Sequence, residues 1–261
     1  MNWLQMDWLQ MIIAAVTGYL MGSLSMARYV VRIFAPEKDL TKTKFKIEGS
    51  DKTFDNFDAM SATNVSVNLG TKLGFLTMIL DMLKIIIPIL FIKYIFSENP
   101  FFLITAVTGM LGHIWPLYYK FKGGRGISAV YGGLFAIDWI GVFATSIGGM
   151  LFGLIVIRDV IAAYVVGVVF IIPWLWFRTH DIYYLIYAIA VNLILFIAMI
   201  PEIKHLNKMK KYDKWNDPVV VLQATGMGRG IIKMAKILGV IKSEKTNQEK
   251  TSSQPRDNKD L

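Results

Sequence analysis

Long apolar stretches recur along most of this chain, and they leave few folds open to it. Residues 9–29, 72–97, 100–119, 139–157, 160–177 and 182–200 each approach or exceed the roughly 20 apolar residues needed to cross a bilayer core, and a shorter stretch covers 127–138. Hydrocarbon offers no hydrogen bonds, so a spanning segment must satisfy its own backbone, and apolar runs of this length do so as helices. The run 127–157 is continuous and too long for one ordinary span; Asp138, beside aromatic and glycine residues, is the expected break. The expected fold is an all-α polytopic integral membrane protein of about seven transmembrane helices, with six as the fallback.

Charge distribution sets the expected orientation. Lysine and arginine crowd into 28–72, 120–125 and the segment after 202, while the turns near 97–100, 138 and 178–182 hold only Arg178. Positive residues stay on the cytoplasmic side, so seven spans place the N-terminus outside and the C-terminus in the cytoplasm. The net charge of +9 therefore reports membrane orientation, and no nucleic-acid partner is expected. The absence of cysteine excludes disulfides, thiolate metal sites and a cysteine nucleophile. Three histidines without a histidine–glutamate cluster give no expected metal or cofactor. The first span lacks a basic leader and a small-residue cleavage site, and reads as a retained helix.

Three units are expected: a membrane domain over 1–212, a basic interfacial segment over 213–242 and a disordered cytoplasmic tail over 243–261. The basic cluster Lys204–Lys211 suits contact with anionic lipid or an acidic protein, at about 1 kcal/mol per basic residue. No internal repeat is visible, which argues against a secondary transporter. A non-enzymatic lipid-binding scaffold is the other competing class.

Chemistry concentrates in two places. The run Gly112–Gly126 joins an apolar segment to a turn containing Lys120, Lys122, Arg125 and the glycines 123, 124 and 126. Backbone amides without Cβ hindrance, beside cationic side chains, suit a phosphate; a flexible positive-inside loop is the plain alternative. Asp81 and Lys84 lie three apart inside an apolar run, on one helix face, where ionisable groups are costly and mark function by default. The small, polar residues 58–65 suit a backbone that approaches a ligand. No carboxylate–histidine pair is evident from the spacing.

Four fragments occur in order: Gly22-Ser23-Leu24; Ala62-Thr63-Asn64-Val65 with Leu69-Gly70; Asp81-x-x-Lys84 with Pro88; and Gly112-His113-x-x-Pro116 with Gly123-Gly124-Arg125-Gly126. In these, over roughly 15–206, the chain resembles the acyl-phosphate-dependent glycerol-3-phosphate acyltransferases of bacteria, the PlsY family. The resemblance implies transfer of a fatty acyl group from acyl phosphate to glycerol 3-phosphate, forming lysophosphatidic acid for phospholipid biosynthesis. It implies a multi-pass protein of the bacterial inner membrane, with its site facing the cytoplasm and no metal. Carried over residue by residue, His113 and Lys84 become the catalytic candidates. Ser23, Thr63, Asn64, Arg125, Gly123, Gly124 and Gly126 become the substrate- and phosphate-binding candidates. The chain departs from the family pattern at Val67, where an arginine is expected, at Ile85 in place of glycine, at Ser25 in place of proline, and over 57–61 and 164–169. Those departures keep open a diverged homologue that binds lipid phosphate without catalysis, or one that acylates another acceptor.

Overall fold

The computed structural model describes residues 8–38, 40, 44–46, 53–55, 60–158 and 160–209. The expected interfacial segment 213–242 and tail 243–261 lie outside the described residues, as do the side chains of the Lys204–Lys211 cluster. The first apolar stretch is not one continuous helix. α1 (Trp8–Gly22) stops, and α2 (Met26–Phe34) begins three residues after Ser23. A Gly–Ser pair is a recurrent breakpoint, and here the Ser23 hydroxyl donates to the Tyr19 carbonyl at 2.7 Å, drawing the last turn shut.

Within the loop after α2, β1 (Lys44–Lys46) and β2 (Thr53–Asp55) pair antiparallel with Phe45 opposite Phe54. This short hairpin accompanies an otherwise all-helical fold, and its polar–apolar alternation is the period of a strand. α3 (Ala62–Leu69) is capped by Ser61, whose hydroxyl accepts the Asn64 N–H. Gly70, at φ +96°, turns the chain directly into α4 (Thr71–Ile95). Pro88 within α4 cannot donate to the carbonyl of Lys84 one turn earlier.

α5 (Phe101–Ile114), α6 (Ile127–Ile137) and α7 (Trp139–Phe152) follow, the last running into a π-helical turn over Gly153–Ile157. Asp138 separates α6 from α7 as expected; its carboxylate accepts the Ile140 N–H at 3.2 Å and the Trp174 indole N–H at 3.0 Å. The next stretch is divided into α8 (Val160–Val169) and α9 (Ile171–Thr179). Pro173 accounts for the division, because its ring clashes with the carbonyl four residues back, at Val169. α10 (Ile182–Met209) runs past Pro201 and ends beyond the expected boundary at 200. Among the described residues, five helices are long and apolar enough to cross a membrane, and Ile127–Ile137 and Val165–Thr179 are shorter apolar helices. The protein is an all-helical integral membrane protein, with a single short hairpin among the described residues.

α5 is the most enclosed of the long helices, and α1 crosses it at backbone contact distance. A Cβ on Gly22 would stand 2.1 Å from the Gly109 carbonyl oxygen, and one on Gly112 would stand 2.2 Å from that of Tyr19. Thr105 donates its hydroxyl to the Ala14 carbonyl at 3.1 Å in the same contact. Lipid tails are as apolar as leucine, so helices associate in the bilayer through such close, small-residue packing. Gly112→Val is accordingly expected to separate α1 from α5. Size-exclusion chromatography in detergent should show aggregation or loss of the folded species; a monodisperse, wild-type profile would refute the crossing.

Candidate functional site

The α1–α5 crossing delivers the break after α1 to the C-terminal end of α5, and α4 passes beside both. When the helix restarts, the Arg28 and Tyr29 N–H groups both turn to the Ser25 carbonyl, at 3.1 and 3.2 Å. The Leu24 carbonyl is left out of the helix, and the Lys84 ammonium of α4 donates to it. Lys84 Nζ also lies 3.0 Å from Asp81 Oδ1, and His113 Nδ1 of α5 faces the same carboxylate oxygen at 3.6 Å. All three side chains are buried. A carboxylate so placed is tolerable only because a cation sits against it, since an isolated buried charge costs several kcal/mol.

The glycine-rich segment folds back over this cluster. After Ile114 the Tyr19 hydroxyl donates to the Trp115 carbonyl at 2.9 Å, and the Leu117 N–H donates to the Ser23 hydroxyl at 3.4 Å. A 3₁₀ turn (Leu117–Tyr119) leads into Lys120 and Phe121, both in the left-handed region at φ 52° and 58°, which reverse the chain. Gly124 then donates its N–H to the His113 carbonyl at 3.0 Å. A Cβ on Gly124 would lie 2.2 Å from His113 Nε2, and one on Gly123 would lie 2.2 Å from the His113 carbonyl oxygen. These two glycines therefore let the loop lie directly on the histidine. The Gly124 N–H points back into the protein, not outward as an anion donor.

Between the break and the loop lies a narrow recess walled by Ser23, Ser25, Asp81, Lys84, His113 and Gly124 among others. Four of the expected site residues thus meet: Ser23, Lys84, His113 and Gly124. The others do not line it. Asn64 is buried, but its carboxamide donates to the Leu40 carbonyl at 3.2 Å and accepts from Asn68 at 2.7 Å, so it fastens α3 to the preceding loop. Thr63, Arg125 and Gly123 are only partly buried, and Gly126, at φ +94°, begins α6. No cluster of metal-ligating side chains occurs among the described residues.

Asp81 is the residue that sequence reading left without a place in the site. Its pairing with Lys84 was visible in the spacing, whereas its approach to His113 joins two helices. The carboxylate–histidine pair that spacing did not reveal is made by the fold. Asp81 lies on the Nδ1 side of the imidazole, which leaves Nε2 on the opposite edge of the ring. Gly124, having no side chain, packs directly against that edge. The recess combines a fixed cation, two serine hydroxyls and an oriented imidazole, a set suited to holding an anionic oxygen group and moving a proton beside it.

The chain is similar to known proteins over most of its helical part. The family model described as glycerol-3-phosphate acyltransferase matches residues 12–212. A glycerol-3-phosphate acyltransferase of Pelagibacter ubique is 31% identical over 130 residues, covering 50% of this chain and 60% of that protein. One from Legionella pneumophila is 32% identical over 130 residues, covering 49% of this chain and 42% of that protein. These two matches therefore span only about half of each relative. The corresponding protein of Endomicrobium trichonymphae is 28% identical over 209 residues, covering 78% of this chain and 98% of that protein. The crystal structure of PlsY (YgiH), an integral membrane glycerol 3-phosphate acyltransferase in its glycerol 3-phosphate form, superposes with a TM-score of 0.61. It shares 23% sequence identity, and the match covers 76% of this chain and 92% of that one.

Proposed function

The chain belongs to the glycerol-3-phosphate acyltransferase family, and from that premise we propose that it acylates glycerol 3-phosphate with a fatty acyl phosphate. The glycerol hydroxyl oxygen bonds to the acyl carbonyl carbon, the carbonyl–phosphate C–O bond breaks, and the products are lysophosphatidic acid and inorganic phosphate. The observation that carries this reading is the convergence of Lys84, Asp81 and His113 on one recess beside the α1 break.

Lys84 neutralises the phosphate charge, where a fixed cation in a low-dielectric site has its greatest effect. Ser25 offers its hydroxyl to the same oxygens, while Ser23, whose hydroxyl donates to the Tyr19 carbonyl, holds the break beside them. His113 Nε2 takes the hydroxyl proton and passes it to the departing phosphate, while Asp81 orients the ring and balances its transient charge. Arg125, Thr63, Asn64 and the backbone at Gly123 and Gly126 act from outside the recess wall by shaping the loops that enclose it, while Gly124 forms part of that wall. The apolar surfaces of the helices leave the acyl chain in the bilayer. The recess opens to the cytoplasm of a bacterial inner membrane, with seven spans, the N-terminus outside and the basic 213–242 segment on anionic lipid.

The test is acyl transfer by the purified protein in lipid, supplied with palmitoyl phosphate and glycerol 3-phosphate. Equimolar inorganic phosphate and lysophosphatidic acid are expected. A folded sample that releases neither refutes the reading, and phosphate release without lysophosphatidic acid identifies another acceptor. That second outcome has a specific motive in Val67, where the family carries an arginine. Deleting 243–261 is expected to leave turnover within about twofold of wild type, since a segment almost without apolar residues contributes nothing to a packed site; loss of activity would assign the tail a role.

A further inference from the structure

Arg28 lies outside the recess and belongs to none of the fragments that carry the family resemblance, yet it joins the two walls of the site. It projects from the first turn of α2, on the side of the recess formed by Ser23 and Ser25. Its Nη2 donates to the Lys122 carbonyl at 3.0 Å, and its guanidinium carbon stands 4.4 Å from the centre of the Tyr119 ring. Tyr119 closes the 3₁₀ turn and Lys122 directly precedes Gly123, so both contacts fall on the loop that lays Gly124 against His113. Between them the chain passes through two consecutive non-glycine residues of positive φ, Lys120 and Phe121, a conformation disfavoured for L-residues and kept only when surrounding contacts impose it.

We propose that Arg28 is a positioning residue: a strap from α2 to the 119–122 turn that holds Gly124 on His113 and so fixes the imidazole for proton transfer. The guanidinium suits this work because it hydrogen-bonds in its plane and stacks through its face at once, which an ammonium does not. The Tyr19 and Ser23 bonds to Trp115 and Leu117 tie down the start of the loop; Arg28 secures its middle. The proposal rests on the acyl-transfer reading above for its kinetic consequence, but its structural part stands without it.

The chain contains no cysteine, so Leu117→Cys provides a single labelling site at an exposed position of the turn. A nitroxide there, read by electron paramagnetic resonance in lipid, reports loop motion whether or not the protein turns over. Arg28→Ala is expected to raise label mobility clearly. In unlabelled protein it should lower kcat about 10–100-fold with KM changed less than threefold, the loss that misplacing a reacting group by about an ångström produces. Arg28→Lys, which keeps a donor but loses the stack, should fall between. Unchanged mobility in Arg28→Ala overturns the strap, and increased mobility with unchanged kcat overturns its positioning role. Should wild-type protein transfer no acyl group while the label still responds to Arg28→Ala, the acyl-transfer reading fails and the strap survives.

Discussion

Replacing Lys84 with methionine is expected to lower kcat/KM for acyl transfer by about 10³-fold, the scale of losing a charge-assisted contact to a phosphate inside a water-poor site. The same change leaves the buried Asp81 carboxylate with only the imidazole beside it. Breaking a buried pair on one side costs about 3–5 kcal/mol, so the single variant should also unfold at markedly lower temperature in detergent. The two effects separate in the double variant Asp81→Asn/Lys84→Met. With both charges gone, thermal stability should recover most of the loss, because no unpaired ion remains buried. Activity should not recover, because the phosphate still lacks its cation. Activity returning together with stability would show that Lys84 serves only to neutralise Asp81. Wild-type turnover in the single variant would remove Lys84 from the site.

Gly124→Ala is expected to lower kcat at least about 10²-fold with a far smaller change in stability than the Lys84 single variant. The added methyl carbon would stand 2.2 Å from His113 Nε2, 2.8 Å from Cε1 and 3.1 Å from Cδ2. It therefore meets the edge of the ring that faces away from Asp81. The ring has little room to retreat, because its other nitrogen already faces the Asp81 carboxylate at 3.6 Å. Either the loop lifts or the imidazole rotates, and both displace the accepting nitrogen. Gly148→Ala supplies the comparison: the nearest atom to its added carbon would be Phe170 Cδ2 at 3.8 Å, an ordinary contact, so unchanged kcat is expected there. Equal activity in the two variants would mean that the Gly124–His113 contact has no part in catalysis.

Much of the framework was legible because the bilayer imposes it. An apolar run with no polar partner in hydrocarbon must be a helix, and Asp138 was recognisable as a break because a carboxylate inside a continuous apolar run needs a reason to be there. The interruptions at Ser23 and Pro173 were harder to read, since hydropathy does not register a helix that stops and restarts within the same apolar stretch. The hairpin at 44–55 was missed because each of its strands is only three residues long.

The site divided along the same line. Lys84, His113 and the glycines could be singled out as residues whose chemistry needed explaining, and Ser23 entered through the family resemblance. Asp81-x-x-Lys84 could be seen as a pair because one turn of helix brings positions three apart together. That Asp81 also faces His113, that Gly124 lies against its imidazole, and that Asn64 is directed to Leu40 were not open to such reasoning. Each joins residues separated by many positions on different elements.

Local periodicity and hydropathy by themselves determined a helical membrane protein and drew attention to Asp81, Lys84 and the glycine-rich turn, and the family resemblance named the other site residues. The tertiary structure alone decided which of them meet. The crossing of α1 and α5 at backbone contact, permitted by Gly22, Gly109 and Gly112, sets Ser23 beside His113 and the freed Leu24 carbonyl over Lys84. The physical reason is that helix formation depends on neighbours within a turn, whereas a catalytic cluster depends on how closely two backbones approach, and that distance is fixed by packing between elements far apart in the chain.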